Sequence, residues 1–202
     1  MKLLFGPASP FVRKVRITAH EHELTEGMEI VLIDQMTLDS PIWECNPLGK
    51  LPALVLPNGE VLFDSPVICE YLDSVGNGPR LFPATAPARW RALGLQALGD
   101  GIMDAIVART LELRRGPDQQ SPYWLDRYEM VIGCAADLLK RHVSWLHQSL
   151  TIDHIAVACG LGHIDFRNPE RQWRERRPAL TEWFQRFSLR PSMMATTPRN
   201  RA

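Results

Sequence analysis

Residues 6–14 read GPASPFVRK and join a strand to a helix, and this junction decides the fold. Lys2 to Gly6 is a strand candidate that Gly6-Pro7 brings to an end. Ser9 is a favoured N-cap, and Pro10 suits the first helical position because its missing N–H is not needed there. The stretch therefore predicts a strand, a short loop and a helix that begins at Ser9-Pro10.

A similar junction lies at residues 62–68, LFDSPVI, where Asp64-Ser65-Pro66 opens a second helix with Ser65 as its predicted N-cap. Asn58-Gly59 is a typical hairpin turn between two strands. The predicted strands between the two helices are Glu29 to Ile33, which is apolar enough to be buried, then Ala53 to Leu56 and Glu60 to Phe63. A single helical turn is expected near Ile42-Trp43. The first part of the chain thus has the order βαβ followed by ββα.

The rest of the sequence is dominated by helical patterns. The breakers Gly76-Asn77-Gly78-Pro79 mark a linker. We expect an α+β domain at residues 1–78, a linker at 79–86 and an all-α helical bundle domain at 87–202. The expected helices span residues 87–115, 121–147, 151–167 and 178–189, and a loose tail follows from residue 190. Gly99 and Gly101 interrupt the first of these helices, which predicts close approach of another helix or of a neighbouring subunit.

Composition excludes several classes of protein. The chain has 202 residues, a formal net charge of zero, 45% hydrophobic residues and 23% charged residues. These values are typical of a globular protein and not of a disordered or collagen-like chain. Its four cysteines form no CxxC pair, so we expect reduced thiols. Because no signal peptide and no membrane-spanning stretch is recognisable, we expect a cytoplasmic protein with no membrane partner.

Both predicted helix starts are possible anion sites, because the first N–H groups of a helix are unpaired and its dipole is positive there. Plain helix capping is the alternative for each serine. A serine nucleophile is disfavoured, since His20 lies about 16 Å further along the first helix and no G-x-S-x-G motif is present. Thiol–disulfide exchange of the thioredoxin type is excluded, because the positions that would hold its CxxC motif read Ser9-Pro10-Phe11-Val12 and contain no cysteine.

Three motifs occur in a fixed order: ASPFVRK at residues 8–14, NPLGKLPAL at 46–54 and LFDSPVICEYL at 62–72. Together they resemble the glutathione S-transferase family, in particular bacterial members with serine instead of tyrosine at the catalytic position. The resemblance extends over essentially the whole chain. It implies a thioredoxin-like first domain, a helical second domain, a homodimer and a detoxifying role, with glutathione as co-substrate and no metal.

The resemblance also implies roles for individual residues. Ser9 matches the residue that hydrogen-bonds the glutathione sulfur, and Leu51-Pro52 matches a cis peptide beside which backbone groups bind the cysteinyl part. Asp64-Ser65 matches the pair that binds the γ-glutamyl amino and carboxylate groups, which suits an acceptor beside a donor. Lys50 either reaches the glycyl carboxylate or is a solvated loop lysine. The candidate site residues are catalytic Ser9 and the glutathione-binding residues Phe11, Lys50, Leu51, Pro52, Asp64, Ser65 and Asp104, with Asp100 or Asp104 acting across a dimer interface.

These groups suffice to activate a thiol without a general base. Lowering a thiol pKa from ~8.5 to about 6.5 requires roughly 2.7 kcal/mol of thiolate stabilisation. A hydrogen bond from Ser9 supplies about 1.5–3 kcal/mol, and the helix that starts at Pro10 adds about 0.3–2 kcal/mol. The thiolate would then attack a small electrophile held near Phe11, Met103, Ile106 and Val107.

The sequence leaves the reaction open. Conjugation, glutathione-dependent isomerisation and reductive dehalogenation all fit the resemblance, and so does a catalytically silent binding or interaction module. The electrophile cannot be read from the residue types expected around it.

Three features of the helical part have competing interpretations. The resemblance implies a helix that begins at Thr151 with an acidic residue three positions later, but that residue is His154, so either the helix is less stable or another group substitutes for the acidic side chain. The arginines within residues 167–177 are interleaved with glutamates, which favours a salt-bridged face over nucleic-acid binding. Cys159 and His163 form at most half a zinc site and are expected to pack in the core.

Overall fold

The computed structural model describes residues 1–200 and divides into two compact units. The first comprises Met1–Arg89 together with the segment that begins at Pro191, and the second comprises Trp90–Arg190. The expectation of a loose tail from residue 190 is wrong, because helix α8 (Pro191–Ala195) buries Ser192 and Met193 almost completely. This segment belongs to the first unit and not, as expected, to the helical domain.

The first unit is built on a four-stranded mixed sheet. Its strands are β1 (Lys2–Phe5), β2 (Glu29–Leu32), β3 (Ala53–Val55) and β4 (Val61–Leu62), in the spatial order β2-β1-β3-β4. β1 is parallel to β2 and antiparallel to β3, and β3 is antiparallel to β4. With the helices α1 (Pro10–Glu21), α2 (Ile42–Cys45) and α3 (Ser65–Val75), this is the thioredoxin-like βαβ–ββα arrangement that the sequence predicts.

Helices α1 and α3 pack against each other and close the core of the first unit. At the far end of this pair, His22 is fully buried and its Nε2 lies 3.1 Å from Oδ1 of Asp73. The same carboxylate oxygen accepts a hydrogen bond of 2.5 Å from the backbone N–H of Leu81. Asp73 therefore joins the end of α1, helix α3 and the linker in one polar cluster.

Strand β2 differs from the expectation. It forms the edge of the sheet, and Ile30 and Leu32 are 46% and 55% exposed, so the prediction of a buried strand is wrong. An edge strand has a neighbour on one side only, which leaves more of its surface open than an interior strand has. An apolar run therefore did not suffice to predict burial here.

The start of α3 also differs from the expectation. Asp64, not Ser65, occupies the N-cap position, and its side chain makes no capping hydrogen bond. Ser65 is the first helical residue and is 1% exposed. The prediction that Ser65 caps this helix is therefore wrong by one position.

The second unit surrounds one central helix. It contains α4 (Ala88–Leu113) from Trp90 onward, α5 (Pro122–Arg141), α6 (Ile152–Arg167) and α7 (Pro178–Ser188). Helix α6 is buried at every position from Ile152 to Ile164. Cys159 and His163 lie in this buried stretch, as expected for core residues. Two 3-10 turns, Pro117–Gln119 and Val143–His147, lie before and after α5.

The two glycines of α4 behave differently. A Cβ added to Gly99 would lie 2.5 Å from the backbone carbon of Ala156 in α6, so only glycine allows this approach. An added Cβ at Gly101 would meet no atom within 4 Å. The prediction of close approach is confirmed at Gly99, whereas no side chain or neighbouring backbone among residues 1–200 comes within 4 Å of an added Cβ at Gly101.

The start of α6 resolves the question of the capping box. Nδ1 of His154 accepts the backbone N–H of Thr151 at 3.2 Å, which is the reciprocal bond that an acidic residue would make. The Thr151 hydroxyl lies 2.9 Å from the same nitrogen and also donates to Asp153. His154 itself thus makes the bond expected of an acidic residue, and its ring lies beside the stacked rings of Trp183 and Phe187.

The arginine-rich segment is held by ion pairs within the helical unit. Arg171 pairs with Glu129, Arg174 with Asp165 at 2.6 Å, and Arg177 with Asp137 at 2.6 Å. The interpretation of this segment as a salt-bridged face is confirmed. Among the described helices, none is both long enough and apolar enough to cross a bilayer.

Candidate functional site

The register of the sheet brings the three sequence motifs to one end of the first unit. Leu4 of β1 pairs with Ala53 of β3, so the chain leaving β1 toward Ser9 lies beside the chain entering β3 from Leu51-Pro52. Because β4 runs antiparallel to β3, the chain leaving β4 toward Asp64-Ser65 emerges at the same end. Packing agrees with this placement, since a Cβ added to Gly6 would lie 3.1 Å from Leu51 Cδ1 and 4.0 Å from Ser9 Cβ.

Ser9 begins α1 in the predicted way. It is the N-cap residue, and its Oγ accepts the backbone N–H of Val12 at 3.3 Å. Its own N–H donates to the Gly6 carbonyl at 3.0 Å, which fixes the loop between β1 and α1. A hydroxyl that accepts a bond with its oxygen still has its hydrogen to donate. Half-buried at the positive end of α1, Ser9 is therefore placed to donate a hydrogen bond to an anion.

The Leu51–Pro52 peptide is cis, which confirms what the family resemblance implies. Both residues are buried, and they lead directly into β3. Lys50 is exposed, so its ammonium group can extend into solvent or toward a ligand carboxylate.

Asn46 is a residue of the site region to which sequence reasoning gave no role. It is 1% exposed, its Nδ2 donates to the Lys50 carbonyl at 2.8 Å, and its Oδ1 accepts the Leu48 N–H at 3.0 Å. The same loop turns at Gly49, which has a φ of +63° and lies against the Trp43 ring. Asn46 thus fixes the loop that carries Lys50 and Leu51. Its place in the turn sequence Asn-Pro-Leu-Gly was the available signal.

Asp64 and Ser65 occupy the start of α3 with different exposures. The Asp64 carboxylate is exposed and makes no capping bond, whereas the Ser65 side chain is buried. An exposed carboxylate next to the first N–H groups of a helix can accept an ammonium group while the N–H groups bind a carboxylate. An α-amino acid group presents both of these.

The remaining predicted residues lie at different places. Phe11 is in the first turn of α1 and is half-buried. Asp104 is an exposed residue of α4 in the second unit. Met103 and Ile106 are 0% and 1% exposed, so the prediction that they line an electrophile pocket is wrong. Their apolar side chains are part of the core of the helical unit.

Positive charge is concentrated along α1. Burial lowers the pKa of Arg16, and the neighbouring cations Arg199 and Arg13 lower it further. The Arg16 guanidinium also lies over the Phe5 ring, 5.3 Å from its centroid. Because Arg13 is one turn from Ser9, this charge adds to the positive end of the helix dipole and favours an anion near Ser9.

Comparisons with known proteins place the chain in one family. Residues 8–75 match the family model described as the glutathione S-transferase N-terminal domain. The uncharacterized GST-like protein YibF of Escherichia coli (strain K12) is 33% identical over 98% of both chains. A glutathione transferase family member from Pseudomonas fluorescens Pf-5, crystallised with bound glutathione, is 42% identical over 98% of both chains with a TM-score of 0.94.

A second solved structure shows the same similarity. The glutathione S-transferase of Methylobacillus flagellatus KT, with glutathione bound, is 32% identical over 98% of this chain and 99% of that one, with a TM-score of 0.90. The sequence motifs, the thioredoxin-like sheet and the full-length relatives all lead to one assignment. This chain belongs to the glutathione S-transferase family.

Proposed function

We propose that the protein is a cytoplasmic glutathione transferase of the serine type that joins the glutathione sulfur to a small electrophile. The observation that carries the proposal is the convergence of Ser9, cis Leu51–Pro52 and Asp64–Ser65 at one end of the sheet. Two similar proteins of known structure hold glutathione, which supports the same ligand here.

Each part of glutathione has a matching group in this arrangement. The Ser9 hydroxyl donates to the sulfur, and the backbone of Leu51 binds the cysteinyl amide. Asp64 accepts the γ-glutamyl ammonium, while Ser65 and the first N–H groups of α3 bind the neighbouring carboxylate. Lys50 and Phe11 complete the pocket on the glycyl and sulfur sides. No metal is required, since the thiol is activated by hydrogen bonding and the helix dipole.

The reaction itself is a substitution at the electrophile. The thiol loses its proton to solvent, because Ser9 and the positive charge along α1 stabilise the thiolate. The sulfur lone pair then forms a bond to the electrophilic carbon, and the leaving group departs with the electrons of the bond that breaks. A transfer of this kind detoxifies reactive compounds.

We further propose a homodimer that forms through α4. Residues 90, 94, 97, 101 and 104 share one face of this helix because they are three or four positions apart. On this face Trp90 is 67% exposed, and an added Cβ at Gly94 or Gly101 meets nothing within 4 Å. The small residues would let a second helix approach closely, and Asp104, with Asp100 one turn away, would extend toward glutathione bound by the partner subunit.

Calorimetric titration with glutathione, followed by a panel of electrophiles, tests the proposed function. We expect saturable binding and conversion of at least one aryl halide or epoxide to a glutathione thioether. Binding with no turnover of any electrophile would favour the silent module. Isomerisation without net consumption of glutathione, or loss of halide with formation of oxidised glutathione and no thioether, would favour those reactions. A chain that does not bind glutathione would refute the proposal.

Sedimentation of wild type and Gly101→Arg tests the proposed dimer. The bulky arginine side chain should dissociate it into monomers.

A further inference from the structure

The segment from residue 191 to residue 200, here called the strap, follows helix α1 within the first unit. Ser192 Oγ donates to Glu21 Oε1 at 2.5 Å, in the last turn of α1. At its other end, the backbone N–H of Arg199 donates to the Pro7 carbonyl at 3.2 Å. The strap therefore extends from the end of α1 to Pro7, in the loop that directly precedes Ser9.

Arginines of α1 hold the middle of the strap. Arg13 Nη2 donates to the Met193 carbonyl at 3.2 Å, and Arg16 Nη2 donates to the Ala195 carbonyl at 3.3 Å. These carbonyls lie at the end of α8, where cationic donors are favourable. Met193 and Thr196 are 1% and 4% exposed, so the contact is packed and not only polar.

The loop that receives the strap is the loop that positions Ser9. It spans Gly6, Pro7 and Ala8, and the bond from the Ser9 N–H to the Gly6 carbonyl closes it at one point. The bond from the Arg199 N–H to the Pro7 carbonyl is a second restraint, and it comes from outside the loop. Without this second restraint, the loop that leads to Ser9 would be held by the Ser9–Gly6 bond and its side-chain packing.

The strap also brings charge to the region. Arg199 is close enough to Arg16 to lower its pKa, as Arg13 does from the same helix. Three cations that repel one another are stabilised when an anion binds nearby. Glu21, the acidic residue that the strap contacts, is at the opposite end of α1 from Ser9.

We propose that the strap is a positioning element of the glutathione site, in which the bond from Arg199 N–H to the Pro7 carbonyl holds the loop that directs Ser9 toward the sulfur. This inference rests on the proposed function. Arg199 acts through its backbone and is a positioning residue, not a catalytic one.

Arg199→Pro and Arg199→Ala separate the backbone bond from the side chain. Proline removes the N–H donor, whereas alanine keeps the donor and removes the charge. For Arg199→Pro we expect glutathione affinity to fall roughly three- to tenfold, the range that one hydrogen bond controls, and the pKa of the bound thiol to rise. Arg199→Ala keeps the N–H donor and removes only the charge, so its affinity for glutathione should fall less than that of Arg199→Pro. Met194→Ala, at a residue of α8 that is 56% exposed, is the matched control and should change neither quantity.

The outcomes are distinct. If the wild type binds glutathione and Arg199→Pro has the same affinity and thiol pKa, the inference about the strap is wrong while the proposed function stands. If the wild type binds no glutathione, the proposed function fails, and hydrogen exchange at the amides of Ser9, Val12 and Arg13 decides about the strap. Faster exchange in Arg199→Pro than in Arg199→Ala would support it, and equal exchange would overturn it.

Discussion

Helices α1 and α3 of the first unit both begin at a Ser-Pro dipeptide, but the two serines have different roles. Ser9 is the N-cap of α1 and accepts the Val12 N–H. Ser65 lies one position inside α3, where Asp64 takes the N-cap position without a side-chain bond. The two serines thus differ by one position relative to the helix start. Ser9 caps its helix and still has a hydroxyl hydrogen to donate, whereas Ser65 is buried next to the exposed carboxylate of Asp64. The dipeptide alone predicts a helix start but not which side chain is the cap.

The largest difference should appear in the pKa of the bound glutathione thiol. Ser9→Ala should raise it by about one to two units, since a hydrogen bond to a charged group is worth about 1.5–3 kcal/mol and one unit corresponds to about 1.36 kcal/mol. The thiolate would then form only at higher pH. Ser65→Ala should leave this pKa unchanged, and Ser9→Thr should restore it in part. Thiolate absorbance of bound glutathione against pH measures all three, and identical curves for Ser9→Ala and wild type would show that Ser9 is only a cap.

Glutathione affinity should be affected most at the other helix start. Asp64→Ala should weaken binding about tenfold, because the carboxylate is the proposed acceptor for the γ-glutamyl ammonium. The melting temperature should stay within the error of the wild type, since Asp64 makes no capping bond. Calorimetry with glutathione and with an analogue that lacks the γ-glutamyl amino group provides the comparison. An equal loss of affinity for both ligands would contradict the assignment.

A third helix start, at Thr151, tests whether a side chain other than serine can supply the capping bond. His154 accepts the Thr151 N–H and also packs beside the stacked rings of Trp183 and Phe187. His154→Asp would keep an acceptor but lose the ring contacts and place a second carboxylate beside Asp153. We expect a loss of about 1 kcal/mol or more in the free energy of unfolding, measured by urea denaturation. A gain in stability would show that a carboxylate caps this helix better than the imidazole does.

The smallest effect concerns the stability of the two serine variants. Ser9→Ala should lower the free energy of unfolding by about 0.5–2 kcal/mol, the usual cost of an N-cap. Ser65→Ala should change it by less than about 0.5 kcal/mol, because Ser65 is inside the helix, where alanine is the better helix former. Thermal or urea melts of both variants, without glutathione, make the comparison. Equal losses would mean that Ser65 stabilises α3 through its buried hydroxyl.

Local patterns predicted the elements of this fold well where one residue type dictates the backbone. Ser9-Pro10 predicted the start of α1, and Asn58-Gly59 predicted the turn between β3 and β4, because both depend on neighbours in the sequence. The family resemblance added the cis Leu51–Pro52 peptide, which no local pattern indicates. Residues that depend on distant partners were harder to predict. The exposure of β2, the packing of Gly99 but not Gly101, and the burial of Met103 are all decided by which element lies opposite.

The candidate site shows the same division. The two helix starts that carry Ser9, Asp64 and Ser65 could be recognised locally, and the family resemblance supplied the predicted roles of these residues. It assigned no role to Asn46, whose bonds to Leu48 and Lys50 depend on the path of a loop. It also missed the strap, since a polar segment rich in Pro and Thr has no periodicity, and its burial depends on arginines more than 170 residues away in the sequence.

The central position of α6 has a consequence for the order in which the protein is made. Its partners lie on both sides of it along the chain, with Gly99 of α4 before it and Trp183 and Phe187 of α7 after it. α6 therefore cannot be fully covered until α7 has been synthesised. The first unit faces a similar delay, because its sheet is complete by β4 but the strap is synthesised more than a hundred residues later. A nascent chain of this protein thus completes the packing of neither unit before α7 and the strap have been made.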